Sequence, residues 1–586
     1  MVQIILMRVL PKTCAVAAPL LLLLSLGCQA SSDGAHPGSS SGGSGNGGGG
    51  GTLNLAGGVA LPPGTQAATL LPARIRRLAD AEYQASVTAL VPDAAAGITA
   101  DFIPDSRQSG FTLNEAQRVD PVFAGQLAAA ATTLAAAVRK NPPASAICAN
   151  PTADADACAD KFIRTFGAEA YRRPLGNDEV EHLMTVFHAA YQGGSYDEGV
   201  ELTVRAMLQS AAFLYLTEIG AEPATTVKLT PYELASSISY LIQGRPPSAL
   251  LTQMAVDGKL DTPEGRAAAT TDPQLGLFLL DDQASNAQTR AVMVVKEWLG
   301  TDKIADIAKD TNIYPGFVDA KNALGDETTQ FLAGIVSQAG SNGGSLAELL
   351  AGGWSMLNAP LAKVYGVTAP GADDKKFVRV DLPGRLGILN QGAFLSVFAH
   401  AHETAPVLRG VAVMRRVACF DVGDPVSLTT AVVPPAPDPS KTTRERFAVH
   451  GASSCAACHD NIDNFGFAFE GFDGMGAVRP GNMDNGKPVD SHVAIAGTDF
   501  DGSYADSNAL VKAMSTSKQV RDCFARHIFR ALAATSAPDL KPSEDDFVKY
   551  WANTLEPDGS GKLDAKIIGT LTAFLTNPSF AYRRAQ

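Results

Sequence analysis

Sixteen of the 21 residues from Ser31 to Gly51 are glycine or serine. A stretch of that composition has almost nothing to bury, so no core, helix or strand can run through it. It splits the 586-residue chain into a short leader and a long body. In the leader, Arg8 and Lys12 precede Ala15–Leu26, an apolar stretch with a leucine run. Crossing a bilayer takes about 20 apolar residues; this stretch is shorter, as in a secretory signal. It ends in Ser25-Leu26-Gly27-Cys28, which has the form of a lipobox. Residues 1–27 are therefore read as a lipoprotein signal peptide that takes Cys14 with it. Cys28 is read as the lipidated residue that anchors the chain to a membrane, and residues 28–71 as a flexible tether. An ordinary signal peptide with a chance cysteine is the competing reading. Either one exports the body, to the periplasm or to the outer membrane or cell surface, where disulfides are permitted.

The body is read as mainly α and multi-domain. At 46% hydrophobic and 18% charged residues, the chain is too apolar for disorder throughout. A net charge of −13 supplies no basic stripe, which excludes nucleic acid as a partner. No later run reaches 18 uninterrupted apolar residues, so no transmembrane helix is expected. Apolar spacing predicts helices over 74–91, 125–138, 160–166, 178–191, 200–216, 284–299, 326–338, 385–398, 507–514, 520–534 and 566–575. Thr230-Pro231-Tyr232-Glu233 has an N-cap, a first-turn proline and a capping-box glutamate, so a further helix runs from there to about Ile242. Strand signals are few; Phe377–Val380 is one. Residues 432–439, rich in proline, read as an extended linker ahead of a C-terminal module.

Cys455-Ala456-Ala457-Cys458-His459 carries the chemistry. C-x-x-C-H is the attachment pattern of c-type haem. Two thiols three residues apart reach both vinyl groups on one edge of the macrocycle, and the adjacent histidine lies beneath the iron as proximal ligand. One covalent haem c on Cys455, Cys458 and His459 is the expectation, and it agrees with export. The alternatives are a local disulfide or redox pair, and a metal site. A thioredoxin-like pair needs a βαβ setting that the sequence lacks. A zinc site needs a second ligand pair, and none stands at zinc spacing. For the distal position, Met475 is the candidate among Met475, Met483, Met514, His492 and His527 downstream and His400 and His402 upstream. An open sixth position is the other possibility. Arg479 could neutralise a haem propionate, or equally pair with Glu470 or Asp473. Of the other cysteines, Cys148 is paired with Cys158 and Cys419 with Cys523, which leaves no spare thiol, although spacing alone does not fix connectivity.

The body resembles the large exported bacterial proteins built from five tandem domains of unknown function, numbered fifteen-eighty-seven, fifteen-ninety-five, fifteen-ninety-two, fifteen-eighty-eight and fifteen-eighty-five. Arg76-Arg77-Leu78 with Ala81-Glu82-Tyr83 resembles the first. Tyr171-Arg172-Arg173-Pro174-Leu175 and Phe213-Leu214-Tyr215 resemble the second, and Leu229–Ser236 opens the third. Pro406-Val407-Leu408-Arg409-Gly410, the C-x-x-C-H motif, Ile462-Asp463, Gly466-Phe467 and Glu470–Arg479 resemble the fourth, whose pattern is E-x-F-D-x-x-G-x-x-R. The resemblance implies domains at 72–140, 158–220, 228–358, 380–480 and 488–583, with a C-terminal part like a c-type cytochrome. The family usually has threonine where Ala79 stands, a residue that would cap the first helix.

Residues 556–564 have a faint calcium-loop pattern, but Ile567 stands where the bidentate glutamate belongs, so a turn is the reading. The expected function is a lipid-anchored c-type cytochrome that exchanges electrons with a partner protein. A haem-dependent oxidoreductase and a surface binding or scaffold protein without haem are the alternatives.

Overall fold

Helical periodicity carries into the structure, a computed structural model that describes residues 60–61, 70–191, 195–275, 286–336, 344–420, 435–436, 438–451, 456–534, 548 and 567–585. All of these belong to one unit, Leu55–Gln586. The signal, Cys28, most of the tether, residues 432–434 and 437 of the proline-rich linker, Cys455, the loop 556–564 and the Cys458 side chain lie outside the described residues.

The protein is mainly α. Asp120 caps Pro121–Lys140 by accepting from Phe123 N, with Pro121 in the first turn, where its missing N–H leaves no bond unmade. With Asp80–Leu90, Ala155–Tyr171, Asn177–Tyr191 and Tyr196–Gln209 it encloses an apolar core that includes Leu134, Phe162, Phe166, Phe187 and Val204. Pro121–Lys140 has the length and hydropathy to cross a membrane, yet Phe123, Leu127, Leu134 and Val138 pack into this core. A disulfide joins Cys148 to Cys158 at its edge.

The capping box forms at Pro231–Gln243. Thr230 Oγ1 accepts from Glu233 N at 3.2 Å, Glu233 Oε2 accepts from Thr230 N at 2.9 Å, and Gly244 ends the helix at φ 63°. A second, larger core runs from this helix through Asn286–Leu299 and Phe317–Val336 to Pro406–Arg416, Ala456–Phe467, Lys518–Ala533 and Ile567–Thr576. A third, small one gathers Tyr314, Leu324, Leu361, Tyr365 and Met475.

Three expected helices are corrected. Residues 74–77 form a strand, pairing Arg74 with Glu218 and Arg77 with Tyr215, and the helix begins only at Asp80. The extended backbone lets Arg74 reach Glu218 while Arg76 reaches Glu82 at 2.6 Å, so both buried cations find carboxylates. Ala79 supplies no cap; the Glu82 carboxylate instead accepts from Ala79 N at 3.0 Å. The expected helix 200–216 stops at Gln209. Ser210 takes an extended conformation and caps a short second helix, Ala211–Leu214, by accepting from Phe213 N, while the Arg172 guanidinium donates to the carbonyls of Ala212, Phe213 and Tyr215. Of 385–398 only Gly392–Val397 is α-helical. Gly387 has φ 66° and lies where a Cβ would stand 1.9 Å from Leu350 O, so the chain turns there.

Short strands were the least visible elements. Tyr582–Arg584 lies between Leu71–Pro72, to which it runs parallel, and Thr226–Lys228, to which it runs antiparallel. Val378–Asp381 pairs with Trp354–Leu357. The two ends of the unit and its middle thus meet in one three-stranded sheet.

Candidate functional site: the Cys-x-x-Cys-His helix and its support

The C-x-x-C-H motif opens the helix Ala456–Phe467. Ile462, Phe465 and Phe467 turn into the large core, which leaves His459, 20% exposed at its side chain, toward the surface. Asp463 lies one turn further on, and its Oδ1 is 2.9 Å from His459 Nδ1. The i,i+4 spacing places both on one helix face. A carboxylate held there fixes the imidazole tautomer with the proton on Nδ1, and so the lone pair on Nε2.

This helix lies hard against Pro406–Arg416. A Cβ on Gly410 would stand 1.9 Å from Ile462 O, and one on Gly466 would stand 1.9 Å from Pro406 O. The two backbones touch at both glycines, so only glycine fits at either position. Arg409, fully buried on the same supporting helix, sends its guanidinium to Leu395 O, Phe469 O, Phe472 O and Asp473 O, and to Glu470 Oε1 at 3.4 Å. One side chain therefore collects the carbonyls at the end of the motif helix and in the loop that follows.

Residues 470–479 fold into a tight hairpin, with Asp473 N donating to Ala477 O and Arg479 N to Gly471 O. Asp473 Oδ1 accepts from Met475 N and Ala477 N; burial nonetheless raises its pKa above the ordinary carboxylate value. Gly474 and Gly476 sit where a Cβ would meet Tyr314 Oη at 2.4 Å and Gly392 Cα at 2.5 Å. The spaced acids and glycines of this stretch thus serve a folded turn. Arg385 is stacked between the rings of Tyr365 and Phe472, 3.8 and 4.4 Å from their centroids, and donates to Gly476 O.

Of the two roles weighed for Arg479, the structure displays the ion pair. Arg479 donates to Glu470 Oε2 at 3.1 Å, to Glu470 O at 2.8 Å and to Asp484 Oδ1 at 3.1 Å. Thr404 Oγ1 adds a bond to the same Glu470 oxygen at 2.7 Å. Met475 is buried in the third core, beside Tyr314, Leu324 and Tyr365, whereas the motif helix packs in the large one. His492 Nε2 lies 2.8 Å from Ser503 Oγ, and His527 is buried beside the Cys419–Cys523 disulfide. Two residues of the site carried no role in the sequence reading. Asp463 had a readable signal, a carboxylate four residues after a ligand histidine; Arg409 had none, because all its partners but Leu395 O lie 60 or more residues away.

Comparison with known families places three matches on the body. Residues 158–218 match a protein of unknown function (DUF1595) and residues 229–367 a protein of unknown function (DUF1592). Residues 385–482 match PSCyt3, a protein of unknown function (DUF1588). Three domains of unknown function stand in tandem. The motif helix, the Gly410–Gly466 contact and the Glu470–Arg479 hairpin all fall within the DUF1588 match. The DUF1595 match covers much of the first core, and the DUF1592 match begins at the capping box of Pro231–Gln243. No curated protein and no solved structure gives a significant match to the chain.

Proposed function

We propose that the chain is an exported, lipid-anchored c-type cytochrome-like protein that carries one covalent haem and passes electrons to or from a partner protein. The observation that carries this reading is the His459 Nδ1–Asp463 contact of 2.9 Å on the first turns of a helix opened by Cys455-Ala456-Ala457-Cys458. An axial histidine binds iron through one nitrogen and needs its other N–H held by an acceptor. Asp463 supplies that acceptor. The donor set of two thiols and an oriented imidazole fits haem c, in which the thiols take the vinyl groups and the imidazole the iron.

In this reading Cys455 and Cys458 hold the porphyrin edge, and His459 is the proximal ligand. Haem supplies one-electron chemistry when bound. The chain orients the imidazole through Asp463, and the Gly410–Gly466 crossing keeps the motif helix fixed to the large core. Cys28 supplies the anchor and the Gly/Ser run the reach. The C-x-x-C-H spacing in the chain itself supports the reading. The test is production of the full chain with c-haem maturation enzymes. A covalent haem absorption band is expected, retained after acid extraction and lost in the Cys455→Ala, Cys458→Ala double variant. A colourless, folded protein would refute the reading.

A further inference from the structure

A second cluster of metal-binding atoms lies away from the motif. Cys419 follows the helix Pro406–Arg416, while Cys523 and His527 stand four residues apart on Lys518–Ala533, hence on one face. The two Sγ atoms and an imidazole nitrogen lie within 4.8 Å of one another. Cys419 and Cys523 form a disulfide in the structure. His527 is 8% exposed, and among the described residues its Nδ1 has no hydrogen-bond partner. Its Nε2 makes one long contact, 3.4 Å, to Arg415 O. A buried imidazole nitrogen left without a partner is costly. The phenyl and indole rings of Phe111 and Trp298 bound the imidazole at 6.5 and 6.3 Å between centroids.

We propose that Cys419, Cys523 and His527 form a reductively opened site for a thiophilic metal ion of the Zn²⁺ type. A dithiol reductant of the thiol–disulfide exchange class transfers two electrons and two protons to the disulfide and leaves as its own cyclic disulfide. Two thiols result. Zn²⁺ then displaces both thiol protons and accepts two thiolates and the neutral imidazole, so the two thiolates cancel its charge. Zn–S and Zn–N bonds of about 2.3 and 2.0 Å in tetrahedral geometry put ligand atoms roughly 3.5–3.8 Å apart, within reach of these side chains by rotamer changes alone. Cys419 is only half-buried, which gives the reductant a sulfur to attack.

The test uses the full chain bearing Cys455→Ser and Cys458→Ser, so that the haem motif contributes no thiol. Bound Zn²⁺ is counted after gel filtration, and Co²⁺ replaces it to report thiolate coordination by absorption. The reduced chain is expected to bind one equivalent more than the same chain left oxidised. His527→Gln should weaken that equivalent by at least about tenfold, and Cys523→Ser should abolish it. No extra equivalent on reduction, or an unchanged affinity in His527→Gln, overturns the proposal. If reduction loosens the fold, added Zn²⁺ must restore the melting temperature; failure to restore it counts as refutation too.

Discussion

The carboxyl group of Glu327 has no water to ionise into. It is fully buried on Phe317–Val336, where it accepts from Tyr365 Oη at 2.5 Å and Ser355 Oγ at 2.7 Å. Burial raises its pKa to about 7, although those two bonds and the nearby Arg385 pull the other way. The unfolded chain releases this proton near the ordinary value of 4.5, so the folded state holds the extra proton between there and 7. Stability from this group is full below the ordinary value, falls as pH rises through that window and levels off above it. The loss is on the order of 3 kcal/mol. Glu327→Gln should flatten the curve, with urea midpoints at about pH 5 and about pH 8 drawing together. A wild-type slope that survives the substitution would assign the effect elsewhere. At the motif, Asp463→Asn removes the charge behind His459 while keeping an acceptor. The haem should remain attached, and its midpoint potential should rise because the imidazole is less electron-rich. A redox titration reads this directly, and an unmoved potential would remove Asp463 from the axial shell.

Among the elements, the crossing of Pro406–Arg416 with Ala456–Phe467 is the least forgiving. Gly466→Ala brings a methyl group into a carbonyl with no side chain to yield, and overpacking of this kind costs about 1–3 kcal/mol or more. Both the melting temperature and the yield of covalent haem should fall. Thr230→Ala, far from the motif, should cost only about 1 kcal/mol as a lost cap and leave haem yield unchanged. Equal loss of haem in both variants would mean that attachment reports global stability alone. Elements of this kind differ in how openly the sequence shows them. The Thr230–Glu233 box was legible because cap, proline and glutamate all act within four residues. The C-x-x-C-H spacing was legible for the same reason. The strand 74–77 was not, because its helical spacing is overruled by Glu218, 144 residues away from Arg74. Past the break at Ser210, Arg172 gathers three carbonyls about 40 residues away, contacts with no signature in the chain order. Local chemistry was readable; partners distant in sequence were not.

At the scale of the whole molecule, buried arginines tie the parts together. Glu218 accepts from Arg74 at 2.9 Å and from Arg583 at 2.8 Å, and also from Ser237. Arg74 and Arg583, aided by that hydroxyl, overcome its burial and hold its pKa far below the ordinary carboxylate value. Arg290 and Arg76 share Glu82 in the same manner, linking the first core to the large one. Arg583→Ala leaves Glu218 buried with half its cations gone. Breaking a buried pair costs about 3–5 kcal/mol, so the denaturation midpoint should drop markedly for the body as one cooperative unit. A loss confined to the C-terminal helices, seen as protease cleavage there with the 158–218 domain intact, would show instead that the parts unfold independently.

The strand Tyr582–Arg584 sits in the middle of its sheet, between partners delivered long before it; Arg584 Nε reaches Leu70 O across 514 residues. For a chain threaded N-terminus first through a ribosome tunnel or an export channel, that sheet stays open at its centre until Tyr582–Arg584 emerges. Contacts this remote in sequence close slowly, and partly closed bodies expose edges that proteases and aggregation exploit. Until that strand emerges, the two outer strands have no neighbour between them, and a chain cut before Tyr582 would expose backbone that the full sheet pairs.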